Sequence, residues 1–94
     1  MAGPSNWTFI TSHGSVLLQV ARSPDATVRE LAERAGLTER QAHRVLADLA
    51  NEGYIVRERI GRRNHYRVNG DRPMKHPAVE THRIGELLSA LGES

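Results

Sequence analysis

A mainly helical domain with one small β-hairpin, an α+β arrangement, is predicted by three features of this 94-residue sequence. Two capped amphipathic stretches lie a turn apart between Thr27 and Glu52. A run of β-branched and aromatic residues follows, Tyr54 to Arg59. An arginine-loaded turn, Ile60 to Asn64, then leads back through His65 to Val68.

The elements follow in order. Ser12 is the expected N-cap of a first helix over 12–22, since a serine oxygen accepts from an orphan amide. Val16, Leu17, Val20 and Ala21 give this helix a wide apolar face, and Leu18 points nearly opposite. Ser23-Pro24-Asp25 ends it. Thr27 and Glu30 then have the spacing of a capping box, and Val28, Leu31, Ala32 and Ala35 recur at helical intervals as a core stripe. Gly36 supplies the left-handed residue that stops this second helix. Thr38 and Gln41 open a third helix with a second capping box, and Gly53 ends it. Its inward stripe is Ala42, Val45, Leu46 and Leu49, which turns Arg40, Arg44, Ala47 and Asn51 outward and leaves Gln41, His43 and Asp48 on the flanks.

Residues 54–68 form the hairpin, and Asn69-Gly70-Asp71 and Pro73 interrupt the pattern. Pro77 suits the first turn of a last helix over 77–91, with Ile84, Leu87, Leu88 and Leu91 as a narrow stripe of the kind that seals a helix–helix seam. A three-helix core, a wing and a C-terminal helix together make a winged helix–turn–helix over residues 1–94, with 27–53 as the helix–turn–helix. In that layout the second helix of the pair enters a DNA groove.

Charge supports the same reading. Between Gly53 and His76 seven cationic residues stand against Glu58 and Asp71, a local net charge of +5. With +2 overall, the rest of the chain carries −3. A basic hairpin on a slightly acidic body is an electrostatic footprint for phosphate. The candidate DNA-contacting residues are Thr38, Arg40, Gln41, His43 and Arg44 on the third helix, and Arg59, Arg62, Arg63 and Asn64 on the hairpin. Arginine suits guanine and glutamine suits adenine in a major groove. Arg62 and Arg63 at the tip suit phosphate or a narrow minor groove, and the competing reading of all these cations is a solvated surface.

The segment Val28 to Val68 resembles the winged helix–turn–helix transcriptional regulators of the MarR and ArsR type. The residues that carry the resemblance are L-A-E-R-A-G-L-T from Leu31 to Thr38, R-x-L-x-x-L-x-x-x-G-Y-I from Arg44 to Ile55, and R-x-G-R-R-N-x-Y from Arg59 to Tyr66. The resemblance implies a DNA-binding regulator that acts as a homodimer on an inverted repeat of double-stranded DNA. Val16, Leu18, Ile84, Leu87, Leu88 and Leu91 are the expected dimer interface, because so small a domain has little means of covering them internally. Trp7, Phe9 and Ile10 either extend that seam or fill the chain's own core.

Other classes are weighed on the same residues. The chain has no cysteine, which excludes disulfides and thiolate metal sites. No apolar run reaches the roughly 18 residues of a membrane span and the start lacks a signal-peptide pattern, so a cytoplasmic protein without membrane contact is expected. No nucleophile stands with a base, no Gly-rich phosphate loop occurs and no cleft is derivable, so neither catalysis nor a cofactor is expected. His76, Glu80, His82 and Glu86 raise a metal-responsive repressor as one alternative, although a solvated polar face explains them and no metal site is assigned. A winged-helix module that docks on protein without DNA is the other, and would more often expose apolar side chains than arginines.

Overall fold

The computed structural model describes residues 8–92; Trp7 therefore lies outside the described residues. The chain runs α1 (Ser12–Arg22), α2 (Val28–Ala35), α3 (Glu39–Asn51), β1 (Ile55–Ile60), β2 (Arg63–Val68) and α4 (Ile84–Ala90). Among the described residues, four helices and one antiparallel hairpin make the mainly α winged helix expected from the sequence. Among the described residues, no helix is long and apolar enough to cross a membrane.

Thr11, rather than Ser12, caps α1. Its backbone is extended (φ −69°, ψ 171°), and its hydroxyl accepts from the Gly14 amide at 3.2 Å. Ser12 is already helical, so it cannot take the extended geometry a cap needs. Both capping boxes form as their spacing requires. The Glu30 amide donates to the Thr27 hydroxyl at 3.1 Å while Glu30 Oε1 accepts from the Thr27 amide at 3.2 Å. Gln41 and Thr38 repeat the exchange at 3.1 and 2.9 Å.

Between the boxes, Gly36 adopts φ 71°, a left-handed conformation that costs a glycine least. The Leu37 amide reaches back to the Ala32 carbonyl at 2.9 Å and the Gly36 amide to Glu33 at 3.3 Å, the two bonds of a Schellman motif. α3 ends the same way, with Gly53 at φ 80° and the Tyr54 amide on the Leu49 carbonyl at 2.9 Å.

The strands pair in the register Ile55↔Val68 to Ile60↔Arg63. The turn is therefore Gly61-Arg62 alone, shorter than the expected 60–64, and Arg63 and Asn64 belong to β2. A two-residue loop with its first residue at φ 62° fits the primed turns whose twist matches that of paired strands. The outer edge of β2 is stitched to the α1–α2 loop, where the Tyr66 amide donates to the Pro24 carbonyl at 3.1 Å. One continuous core joins Val16, Leu17 and Val20 of α1 to Leu31, Val45, Leu46, Leu49, Tyr54, Ile55, Tyr66 and Ile84.

Two expectations are corrected at the C-terminal end. The last helix is not 77–91: α4 has seven residues, and Pro77 lies in the turns before it. A helix starting at 77 would need the Ile84 and Gly85 amides for carbonyls four residues back. They go elsewhere, to Arg72 O at 2.8 Å and Gly70 O at 2.9 Å, while Met74 donates to His82 O at 2.9 Å. Residues 82–85 are thus laid along 70–74.

The assigned dimer seam is also largely internal. Val16, Ile84 and Leu88 are 0%, 8% and 6% exposed within the single chain, so no second subunit is needed to cover them. Leu18 and Leu87 are half-buried, and Leu91 alone of the six is exposed, at 41%. Of the apolar residues expected to extend that seam or fill the core, Phe9 is 90% exposed and Ile10 half-buried.

The return of the chain depends on two glycines meeting. A Cβ on Gly85 would stand 3.0 Å from the Gly70 carbonyl oxygen and 3.2 Å from its Cα, both backbone atoms. Gly85→Val should therefore cost about 1–3 kcal/mol, the usual penalty of overpacking, even though valine is the better helix former. A urea midpoint unchanged from wild type would show that the 70–74 segment yields freely.

Candidate nucleic-acid interface

The burial of Ala42, Val45, Leu46 and Leu49 sets the outward side of α3, and Arg40, Gln41, His43, Arg44, Ala47 and Asp48 are all exposed there. Arg40 and Arg44 are four apart on that side. Like charges so placed disfavour a helix by roughly 0.2–0.5 kcal/mol, so folding gives no reason for them. Neither forms an ion pair within the described residues, whereas the arginines of α2 do: Arg29 lies 3.9 Å from Glu33 and Arg34 3.7 Å from Glu30.

The remaining polar groups of α3 are partly committed. Gln41 Oε1 accepts from the Thr38 backbone, and Asp48 is held by His13 of α1 at 2.8 Å. The Thr38 oxygen accepts from Gln41, but its own O–H proton is left to donate to a phosphate.

Strand alternation divides the hairpin cations between two faces. Arg59 pairs with Asn64, and both share the side of buried Tyr66. Arg57 is exposed on that same side without an ion pair among the described residues. It was missing from the candidate set, although counting alternate strand positions could have found it. Arg63 takes the opposite side with His65, and Arg62 occupies the turn.

His65 Nδ1 is hydrogen-bonded to the Asp25 carboxylate of the α1–α2 loop, which ties the hairpin to the helical body. The charge of Arg63 reaches Glu30, where it assists in lowering the carboxyl pKa. The sequence shows no acid beside Arg63; the fold brings one near it. Arg67 and Lys75, which contribute to the basic count, are paired with Glu58 at 3.3 Å and Glu52 at 2.8 Å. Among the described residues the cations without ion pairs are thus Arg57, Arg59, Arg62 and Arg63 on the hairpin, Arg40 and Arg44 on α3, and Arg72 and Arg83 on the C-terminal return.

The metal alternative has no geometric support here. His82 Nδ1 lies 3.2 Å from Glu86 Oε1, but His76 instead accepts from the Ala78 amide at 3.1 Å. No three His, Asp or Glu side chains gather to hold an ion among the described residues.

A groove does exist, against the expectation that none could be derived. It has a volume of about 910 Å³ and is lined by Leu17, Leu49, Tyr54, Met74, Ile84 and Leu87 among others. Its hydroxyls are those of Thr11, which caps α1, and Tyr54, which donates to the Pro73 carbonyl. Of its polar members, His13 pairs with Asp48, Lys75 pairs with Glu52, and His76 accepts from the Ala78 amide.

A capped helix–turn–helix followed by a basic two-stranded wing defines the winged helix–turn–helix class of nucleic-acid-binding proteins. A model of the MarR family matches residues 8–62, from just before α1 to the hairpin turn. The chain belongs to the MarR family, whose members are DNA-binding transcription regulators. No curated protein matches it.

Three carboxylates around this scaffold are held below their usual range. Glu30 is lowered first by the Thr27 backbone amide, Glu86 by the Arg83 amide and Glu52 by its hydrogen bond from Lys75. A depressed folded pKa contributes stability that is present above the unfolded value and is lost as pH falls through the folded one. The thermal midpoint should accordingly decline on acidification below the ordinary glutamate range. Glu30→Gln keeps a capping-box acceptor but cannot titrate, so its acid decline should be shallower than that of wild type. Superimposable pH profiles for the two proteins would exclude this contribution from Glu30.

Proposed function

We propose that this chain is a cytoplasmic homodimer that binds double-stranded DNA sequence-specifically and regulates transcription. The observation that carries the proposal is the clustering of exposed arginines without ion pairs, Arg40 and Arg44 on α3 with Arg57, Arg59, Arg62 and Arg63 on the wing, while Arg29 and Arg34 of α2, Arg67 and Lys75 are paired. In this reading α3 enters the major groove, and the Gly61-Arg62 tip follows the backbone or the adjacent minor groove. Thr38, at the N-terminus of α3, donates to a phosphate.

Binding to a pool of duplex fragments at two salt concentrations tests the proposal. Affinity should fall steeply with salt, because each neutralised phosphate releases condensed counterions. The double variant Arg62→Glu with Arg63→Glu should retain its fold, since both side chains are exposed, and should lose tight binding. With two phosphate contacts gone, the slope of log K on log salt should flatten by about 2. Undiminished affinity in that variant would remove the wing from the interface.

The homodimer rests on the apolar side chains that remain at the surface away from the hairpin, where Val56 and Ile60 are also exposed: Leu91 at the end of α4, half-buried Leu18 and Leu87, and exposed Phe9. Pairing across a two-fold axis would bury these residues and set two α3 helices about 34 Å apart, one turn of DNA, on an inverted repeat. Sedimentation at micromolar concentration should give a dimer that Leu91→Glu dissociates. A monomeric wild type combined with an asymmetric binding site would refute the two-fold arrangement.

A further inference from the structure

We infer that α3 reads paired guanines through Arg40 and Arg44, and that Gln41, whose chemistry otherwise suits adenine, takes no part in base readout. The inference rests on the DNA-binding reading above and names the sequence class that the helix selects.

Adenine is recognised in the major groove by a side-chain amide that accepts from N6 and donates to N7 together. Gln41 is held back from this by the orientation that its cap imposes. Its Oε1 accepts the Thr38 amide at 2.9 Å, closing the capping box that starts the helix. Turning the amide toward a base would strip the cap from Thr38 and leave that amide without its partner. Of the other groups able to accept, Glu39 and His43 stand away from the directly outward line, Asp48 is bonded to His13, and Asn51 lines the groove at the far end of α3, roughly 16 Å along the axis from Arg40. Bases meet the N-terminal part of a recognition helix, and there the directly outward positions are two guanidinium groups, which only donate, with Gln41 and His43 on either flank.

Two donors in a fork select the O6 and N7 acceptors of guanine. Arg40 and Arg44 are exposed, on one side of the helix and without ion pairs among the described residues, so both are free to reach base edges. Four residues of helix advance about 6 Å, close to two base-pair steps of 3.4 Å along a strand. Each half-site should then contain two guanines about two base pairs apart, on either strand. Ala47, the next outward residue, presents only a methyl group and leaves space for the bases beneath the arginines.

Selection of bound duplexes from a random pool, followed by substitution of each selected guanine with 7-deazaguanine, tests this. The substitution removes the N7 acceptor and keeps base pairing. Wild type should enrich the guanine pair, and replacing either guanine with adenine should weaken binding roughly ten- to a hundredfold. Deaza substitution should weaken wild type, while Arg44→Ala and Arg40→Ala should each become insensitive at one of the two guanines. Gln41→Glu keeps the box and adds an anion, so it should weaken all duplexes alike and leave their ranking unchanged. Arginine variants that lose affinity uniformly and keep full deaza sensitivity would make Arg40 and Arg44 phosphate contacts and overturn the inference alone. An adenine preference that disappears in Gln41→Glu would also overturn it. Failure of wild type to bind any duplex at low salt would overturn it together with the proposed function.

Discussion

The bend between Ala35 and Glu39 sets where everything else can stand, because it satisfies the backbone of two helix ends within a few residues. Carbonyls released at the end of α2 are taken by the Gly36 and Leu37 amides, and amides released at the start of α3 are taken by Thr38. Leu37, between them, packs against the core and keeps the corner from opening. With no slack in this connection, the burial of Val45, Leu46 and Leu49 settles which side of α3 faces outward. The exposure of Arg40 and Arg44 is a consequence of packing on the other side of the same helix.

A second level of organisation joins this helical unit to the hairpin and to the C-terminal return. Tyr66 serves both, being buried in the core while its amide is held by Pro24 of the α1–α2 loop. Tyr54 connects the end of α3 to the segment beyond β2, with its hydroxyl on the Pro73 carbonyl and its own carbonyl accepting from Asn69 at 2.8 Å. Gly70 and Gly85 then let two backbones approach closely enough to seat Ile84 in the core. The hairpin is thus anchored at its base and projects at its tip, where Ile60 is 59% exposed and the flanking arginines face water.

Electrostatics follows the same division between structure and surface. Pairs such as His13–Asp48 and His65–Asp25 join elements far apart in the chain, and Lys75–Glu52 secures the C-terminal return against the end of α3. Exposed pairs of this kind contribute little stability each. Their larger effect is on which charges remain free. They remove Arg67 and Lys75 from the nominally basic segment and leave the hairpin and the N-terminal half of α3 with clustered uncompensated charge.

Much of this was legible in the sequence because it depends on short-range geometry. The two capping boxes, Gly36, Gly53 and the inward stripe of α3 are set by spacings of three or four residues, and those rules operate before any tertiary contact exists. The exposed candidates on α3 follow directly from that periodicity. What the sequence could not determine is where long-range bonds outcompete local ones. Pro77 is a reasonable helix start, yet the amides of Ile84 and Gly85 bond to Arg72 and Gly70, so the helix begins seven residues later. Ile84 and Leu88 form an apolar stripe whether their partner is a second subunit or their own core, and only the folded chain shows them internal. Gln41 has the chemistry to read adenine, but the capping box engages its acceptor. Periodicity specifies which face a residue takes, and tertiary structure decides what that face meets, because contacts between distant segments leave no spacing in the chain to read.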